Sequence, residues 1–195
     1  MISTNFESLE PRESQAPRLL ASIDLSSAGD PFLNTKHPYL WGKRCLLMVV
    51  ERDAAPSIEL QHKRIVRSAR PGATTEQREE LLDAWYREHL KNVVPPLLKE
   101  WEALMNVKPS KVFVQRMKTK WGSCNPTSRT IRLNTDLAKK PPECLDYIVV
   151  HELEHLIESS YNARFVSVIN LFMPKWQHYR DELDNLPVRH EDWDY

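Results

Sequence analysis

Apolar positions along this chain change their period several times, and each change marks an expected element. Residues 1–36 show little periodicity: Ser, Asn, Asp, Gly and three prolines surround one short apolar group, Leu19, Leu20, Ala21 and Ile23. That stretch reads as irregular or poorly ordered. From Tyr39 the pattern tightens. Residues 44–50 and 57–66 read as strands, and the turn Asp53-Ala-Ala-Pro56 between them predicts a hairpin. Thr74 or Thr75 caps a helix with acids from Glu76 to Glu80 in its first turns, and its apolar stripe is Leu81, Leu82, Trp85, His89 or Leu90, and Val93. Pro95-Pro96 is expected to break or kink it, with Pro96 opening a second helix that carries Leu97, Leu98, Trp101, Leu104 and Met105.

Alternation returns over 111–117, where Val112 and Val114 share a side, and Thr130–Asn134 reads as another strand after the turn-rich residues 122–128. Pro141, Pro142 and Glu143 then start a helix with Leu145, Ile148, Val149, Leu153 and Leu156 as its buried contacts. Two further amphipathic helices are expected over 163–172 and 175–186. No internal repeat is visible.

Composition narrows the class. With 195 residues, 41% apolar and 28% charged, the chain suits one soluble domain with a full core, placed at 37–195 after the irregular start. The formal net charge is zero, so the whole molecule exerts no long-range pull on nucleic acid or an anionic membrane, and electrostatic recognition must be local. The first twenty residues lack the apolar stretch of a secretory signal and no run reaches membrane-span length, so a cytoplasmic protein with no membrane partner is expected. Cys45, Cys124 and Cys144 are odd in number and unrelated in spacing, as reduced thiols would be.

The strongest chemical signal is His151-Glu-Leu-Glu-His155. On a helix, positions i and i+4 share a face with side chains roughly 6 Å apart, so both imidazoles can reach one ion while Glu152 stands beside it. The expected ion is one Zn²⁺ and the expected chemistry hydrolysis, with Glu152 as general base. A third ligand is less obvious. Six residues after His155 stands Tyr161, which can ligate as phenolate at the cost of a proton. Glu158 is the alternative, sharing a face with both histidines if the helix persists that far, and otherwise serving as an orienting or solvent-facing carboxylate. His178 and His190 are further imidazoles of unknown distance.

A second constellation is basic. Between Lys111 and Lys140 there are eight Lys or Arg and one acid, Asp136. Arg116, Lys118 and Lys120 fall at period two, as on one strand face, and Arg129 and Arg132 return on the expected partner strand. The patch is either a solvated sheet face or a grip for phosphate or an acidic substrate. Trp121 either caps a substrate cleft, stacks on a base, or fills the core, and Gly122 would permit a tight turn.

Lys118-Thr-Lys-Trp-Gly-Ser-Cys124, Ile131-Arg-Leu-Asn134, Pro141-Pro-Glu-Cys-Leu-Asp-Tyr147, the 151–158 helix, Asn162-Ala-Arg-Phe165, Met173-Pro-Lys-Trp176 and His190-Glu-Asp-Trp193 occur in order. As a set they resemble the YgjP-like metallopeptidase family, relatives of the SprT-like zincins, over roughly residues 37–195, and residues 1–36 do not share the likeness. The resemblance implies an α+β, zincin-like fold in which a small antiparallel sheet packs on helices including the His-Glu-x-x-His helix. It also implies zinc on the motif histidines, Glu152 as base, and peptide or protein substrates. In that family a third His ordinarily stands where this chain has Tyr161. Two rival readings follow: a metal-dependent nucleotide phosphohydrolase using the basic residues, or a catalytically impaired module that binds nucleic acid or a protein partner.

Overall fold

Thr75–Met105 (α1), a helix of 31 residues, is the longest element among the described residues. Its start is a reciprocal cap: Thr74 Oγ1 accepts from the Gln77 N–H at 3.3 Å, and Gln77 Oε1 accepts from the Thr74 N–H at 3.1 Å. Asn106 in the left-handed conformation closes its C-terminus. Pro95 and Pro96 lie inside this helix without ending it, so of the expected break or kink the break does not occur and no second helix opens at Pro96. Two lost backbone N–H groups weaken the middle, but buried Tyr86, Leu90, Val93, Val94, Leu97 and Met105 lie on both sides of the prolines, so packing holds the halves together. The structure, a computed structural model, describes residues 38–185 except residue 63; the expected irregular segment 1–36 lies outside them.

Tyr39–Leu40 (β1) and Lys43–Arg44 (β2) form a short antiparallel ladder. Leu46–Glu51 (β3), Ser57–Gln61 (β4) and Arg64–Ala69 (β5) form a sheet of order β3-β5-β4, with β3 parallel and β4 antiparallel to β5. The expected strand over 57–66 is therefore two strands, turned at His62, whose φ is +56°. The expected hairpin between 44–50 and 57–66 does not form because β5 lies between them. No Gly or Pro marks the turn at His62 in the sequence.

Lys111–Gln115 (β6), Gly122–Asn125 (β7) and Thr130–Asn134 (β8) form a second sheet of order β6-β8-β7, parallel between β6 and β8 and antiparallel between β7 and β8. Both three-stranded sheets are thus mixed, where an antiparallel sheet was expected. Paired register puts Val112, Val114, Ile131, Leu133, Gly122 and Cys124 on one face, and Phe113, Arg132 and Ser123 on the other.

The helices Pro142–Glu154 (α2), Ala163–Phe172 (α3) and Trp176–Asn185 (α4) complete an α+β architecture. Proline sits at the start of α2, where its missing N–H is harmless. α2 is buried over nearly its whole length and packs against α1, α3, α4, β7 and β8. No described helix is long and apolar enough to cross a membrane. All three cysteines are free thiols, as expected.

α1 and α2 are joined by Trp101 Nε1, which donates to Asp146 Oδ1 at 3.0 Å. Burial pushes the Asp146 carboxyl up from 3.8 to about 6 despite that hydrogen bond. Since the folded-state value exceeds the unfolded one, this group's stabilising contribution is complete below pH 4 and is lost as pH rises through about 6, a change of about 3 kcal/mol. Asp146→Asn, whose amide oxygen still accepts from Trp101, should lack that part of the pH dependence and be more stable than the parent at pH 7. Urea denaturation at pH 4 and pH 7 measures the difference.

Candidate metal centre

His151 lies in the last turn of α2 and His155 caps its C-terminus, with the His155 N–H bonded to the His151 carbonyl at 3.4 Å. Their ring centroids are 4.9 Å apart and the planes nearly perpendicular, at 87°. Phe165, fully buried at the start of α3, packs against both, 5.1 Å from His151 and 4.8 Å from His155. Asn162 puts it there: its Oδ1 accepts from the backbone N–H groups of Arg164 and Phe165 and so caps α3. Tyr147 meets His151 edge-on and stacks on Trp176 of α4.

Both imidazoles are held neutral. Burial, then the neighbouring His155, lowers His151 to about 4. Burial also lowers His155, against an opposing pull from the Glu158 and Ser159 backbone. A neutral imidazole offers the lone pair that a divalent ion requires. His151 Nδ1 is buried without a hydrogen-bond partner, and so is Oε2 of Glu152. Polar atoms left bare inside a fold are costly unless something binds them. The two imidazoles and the bare carboxylate oxygen therefore suit a hydrated cation.

Glu152 is 4% exposed. Burial raises its carboxyl from 4.5 to about 8, with Lys120 acting in the opposite direction. Its place depends on Gly122 in β7: a Cβ there would stand 2.5 Å from Glu152 Oε1, 2.9 Å from its Cγ and 2.9 Å from Ile148 Cγ2. Gly122 thus serves close approach within a strand, and the expected tight-turn role is corrected. Glu154, also fully buried, is raised to about 7 by burial, opposed by the Ile169 backbone.

Tyr161 is 56% exposed; its ring lies 6.4 Å from that of His151 and 4.8 Å from Phe165. α2 ends at Glu154, so Glu158 falls beyond it and the shared-face argument for this residue loses its premise. Instead a Glu158 carboxylate oxygen accepts from the Ser160 N–H at 3.2 Å. Among the described residues no three His, Cys, Asp or Glu side chains gather as a metal cluster. His178 is exposed on α4 beside Tyr179, and His190 lies outside the described residues.

The basic hairpin is also corrected. β6 ends at Gln115 and runs parallel to β8, so Arg116, Lys118 and Lys120 occupy the loop before β7 and share no hairpin face with Arg129 and Arg132. Arg116 pairs with Asp83 of α1 at 2.9 Å. Arg129, at a left-handed turn, donates to the Lys108 carbonyl from Nε and a terminal nitrogen at 3.1 and 2.6 Å. Arg132 lies in β8. Trp121 is half-buried, with Lys140 Nζ 5.1 Å from its ring centre.

Compared with known families, residues 15–186 match the YgjP-like metallopeptidase domain. The chain belongs to the YgjP-like metallopeptidase family. Membership supports a metallopeptidase-like hydrolase and implies a divalent metal cofactor, commonly zinc. The match starts at residue 15, which corrects the exclusion of all of residues 1–36 from the likeness. No curated protein matches the chain. Among solved structures, the metallopeptidase zymogen jannalysin of Methanocaldococcus jannaschii aligns at 23% identity over 46% of this chain and 91% of its own, with a TM-score of 0.41. The zymogen abylysin of Pyrococcus abyssi aligns at 20% identity over 46% and 90%, with a TM-score of 0.43.

Within this family member, sequence reasoning missed Phe165 and Asn162 as supports of the histidines, although both stand in the Asn162-Ala-Arg-Phe165 motif. It also missed the Gly122–Glu152 contact, for which periodicity holds no signal. Gly122→Ala should destabilise the protein by roughly 1–3 kcal/mol through overpacking, read as a lower urea midpoint. Adding Glu152→Ala should recover part of that loss, because the double variant removes the atoms that the new methyl strikes.

Proposed function

We propose that the chain is a zinc peptidase with a zincin-like domain over 37–195, an ion held by His151 and His155 with Tyr161 as third ligand, and Glu152 as general base. The single observation that carries this reading is the bare Oε2 of buried Glu152 beside a perpendicular pair of neutral imidazoles. When bound, the ion would lower the pKa of water and polarise a substrate carbonyl. Glu152 then takes the proton of the attacking water at Oε2. It would pass that proton from Oε2 to the departing amine. Gly122 keeps the carboxylate in place, and the aromatic packing of Phe165 and Tyr147 excludes water from one side of His151.

Substrate peptide would add along the free edge of β7, the outer strand beside Glu152. Of the basic residues first considered for substrate, Arg116 bonds Asp83 and Arg129 bonds the Lys108 carbonyl, which disfavours a continuous phosphate grip over all five. Lys118, Lys120, Trp121 and Arg132 remain as substrate candidates.

Glu152→Gln should reduce peptide hydrolysis by at least about 100-fold, with zinc content unchanged, when assayed on unfolded protein with and without chelator. Full retained turnover would remove Glu152 from its role. Tyr161→Phe should weaken zinc retention by about tenfold or more, and Tyr161→His should strengthen it, both read by metal analysis after dialysis. Equal zinc retention in all three proteins would show that the phenol does not ligate.

A further inference from the structure

The loop entering β7 is fastened by one buried side chain. Asn134, 4% exposed at the end of β8, donates from Nδ2 to the carbonyls of Met117 and Lys120, both at 2.8 Å. Its Oδ1 accepts from the N–H groups of Met117 at 3.3 Å and Asp136 at 3.1 Å, and its own N–H donates to the Trp121 carbonyl at 2.9 Å. The loop backbone is thus tied at 117, 120 and 121, on both sides of Lys118 and at Lys120 itself. Such bonding fixes the path of the loop backbone.

That loop carries Lys120 next to the strand that walls the proposed site. Lys120 stands two residues before Gly122, which abuts the Glu152 carboxylate. Yet Lys120, exposed, forms no ion pair with Glu152 or any other described carboxylate. Lys118 is likewise exposed and without such a pair. Arg116 and Arg129, by contrast, are committed to Asp83 and Lys108. A cation on a tied backbone, without an ion pair among the described residues and beside a peptide-binding edge, favours an incoming anion and repels a cation.

We infer that Lys120 is a specificity-determining residue that takes a substrate carboxylate, so that preferred peptides carry an acidic group, side chain or chain end, close to the bond cleaved. The inference rests on the peptidase reading, but its test does not need turnover. The probes are fluorescein-labelled alanine-rich hexapeptides with a single Glu at each position in turn, their Gln and Lys counterparts, and C-terminal acid and amide forms. Binding is measured by anisotropy on the zinc-loaded Glu152→Gln protein, alone and combined with Lys120→Met or Lys120→Arg.

At one position or at the chain end, the carboxylate peptide should bind roughly 5- to 10-fold more tightly than its neutral counterpart. Lys120→Met should erase that ratio without changing affinity for the neutral peptide, and Lys120→Arg should restore it. Loss on Glu→Gln identifies a side chain as the anion, and loss on amidation identifies the chain end; either supports the inference. Equal affinity for acid and neutral forms, a preference that survives Lys120→Met, or no binding of any peptide would overturn it. Retained turnover in the single Glu152→Gln protein would instead overturn the general-base assignment and leave this ratio readable.

Discussion

Keeping a carboxylate inside the core without a partner is the constraint around which this molecule is arranged. Glu152 is buried, one of its oxygens is bare, and the carboxyl is raised to about 8 by that burial. Burial between a helix and a strand disfavours the charged form relative to a surface carboxylate without abolishing it. Gly122 makes that burial possible, since any side chain at that position would occupy the space of the carboxylate. β7 therefore does two things at once: it closes one edge of the sheet and forms the wall of the candidate site.

The other side of the site is built from rings. Phe165 touches both imidazoles, Tyr147 meets His151 edge-on, and Trp176 stacks on Tyr147 while donating its Nε1 hydrogen to Asn170 Oδ1 at 2.8 Å. These contacts make α3 and α4 supports for α2. The cap at Asn162 and the ring at Phe165 support His151 and His155 without offering a donor atom. Lowered imidazoles and a raised carboxyl follow from the same burial, so the electrostatics of the site are tied to the packing of α2.

The loop 116–121 shows how polar bonds outside regular structure can matter as much as the ladders. Asn134 satisfies its amide entirely from backbone groups around that loop, and Lys140, fully buried, donates to the Leu183 carbonyl at 3.3 Å while lying over the Trp121 ring. The connection between β6 and β7 is in this way tied both to β8 and to α4. Family membership accounts for the hydrolase class and a divalent ion; the bonds of this loop are what distinguish the surroundings of Lys120 from those of the other basic residues.

The helices, the cap at Thr74, the proline start of α2 and the His151–Glu152–His155 spacing were legible in the chain because helical period and capping depend on neighbours within a few residues. Strand order was not. Alternation is the same for parallel and antiparallel pairing, so neither the insertion of β5 between β3 and β4 nor the parallel pairing of β6 with β8 could be read locally. Continuity of α1 through Pro95-Pro96 depended on burial to either side of the prolines, and the end of α2 before Glu158 on the chain turning toward α3. Arg116 and Arg129 looked like their neighbours Lys118 and Lys120 until folding supplied Asp83 and the Lys108 carbonyl from distant parts of the chain. Residue types and spacing thus specified the chemistry available, and only tertiary contacts decided which groups are buried, paired or left open, because burial and pairing are set by atoms far apart in sequence.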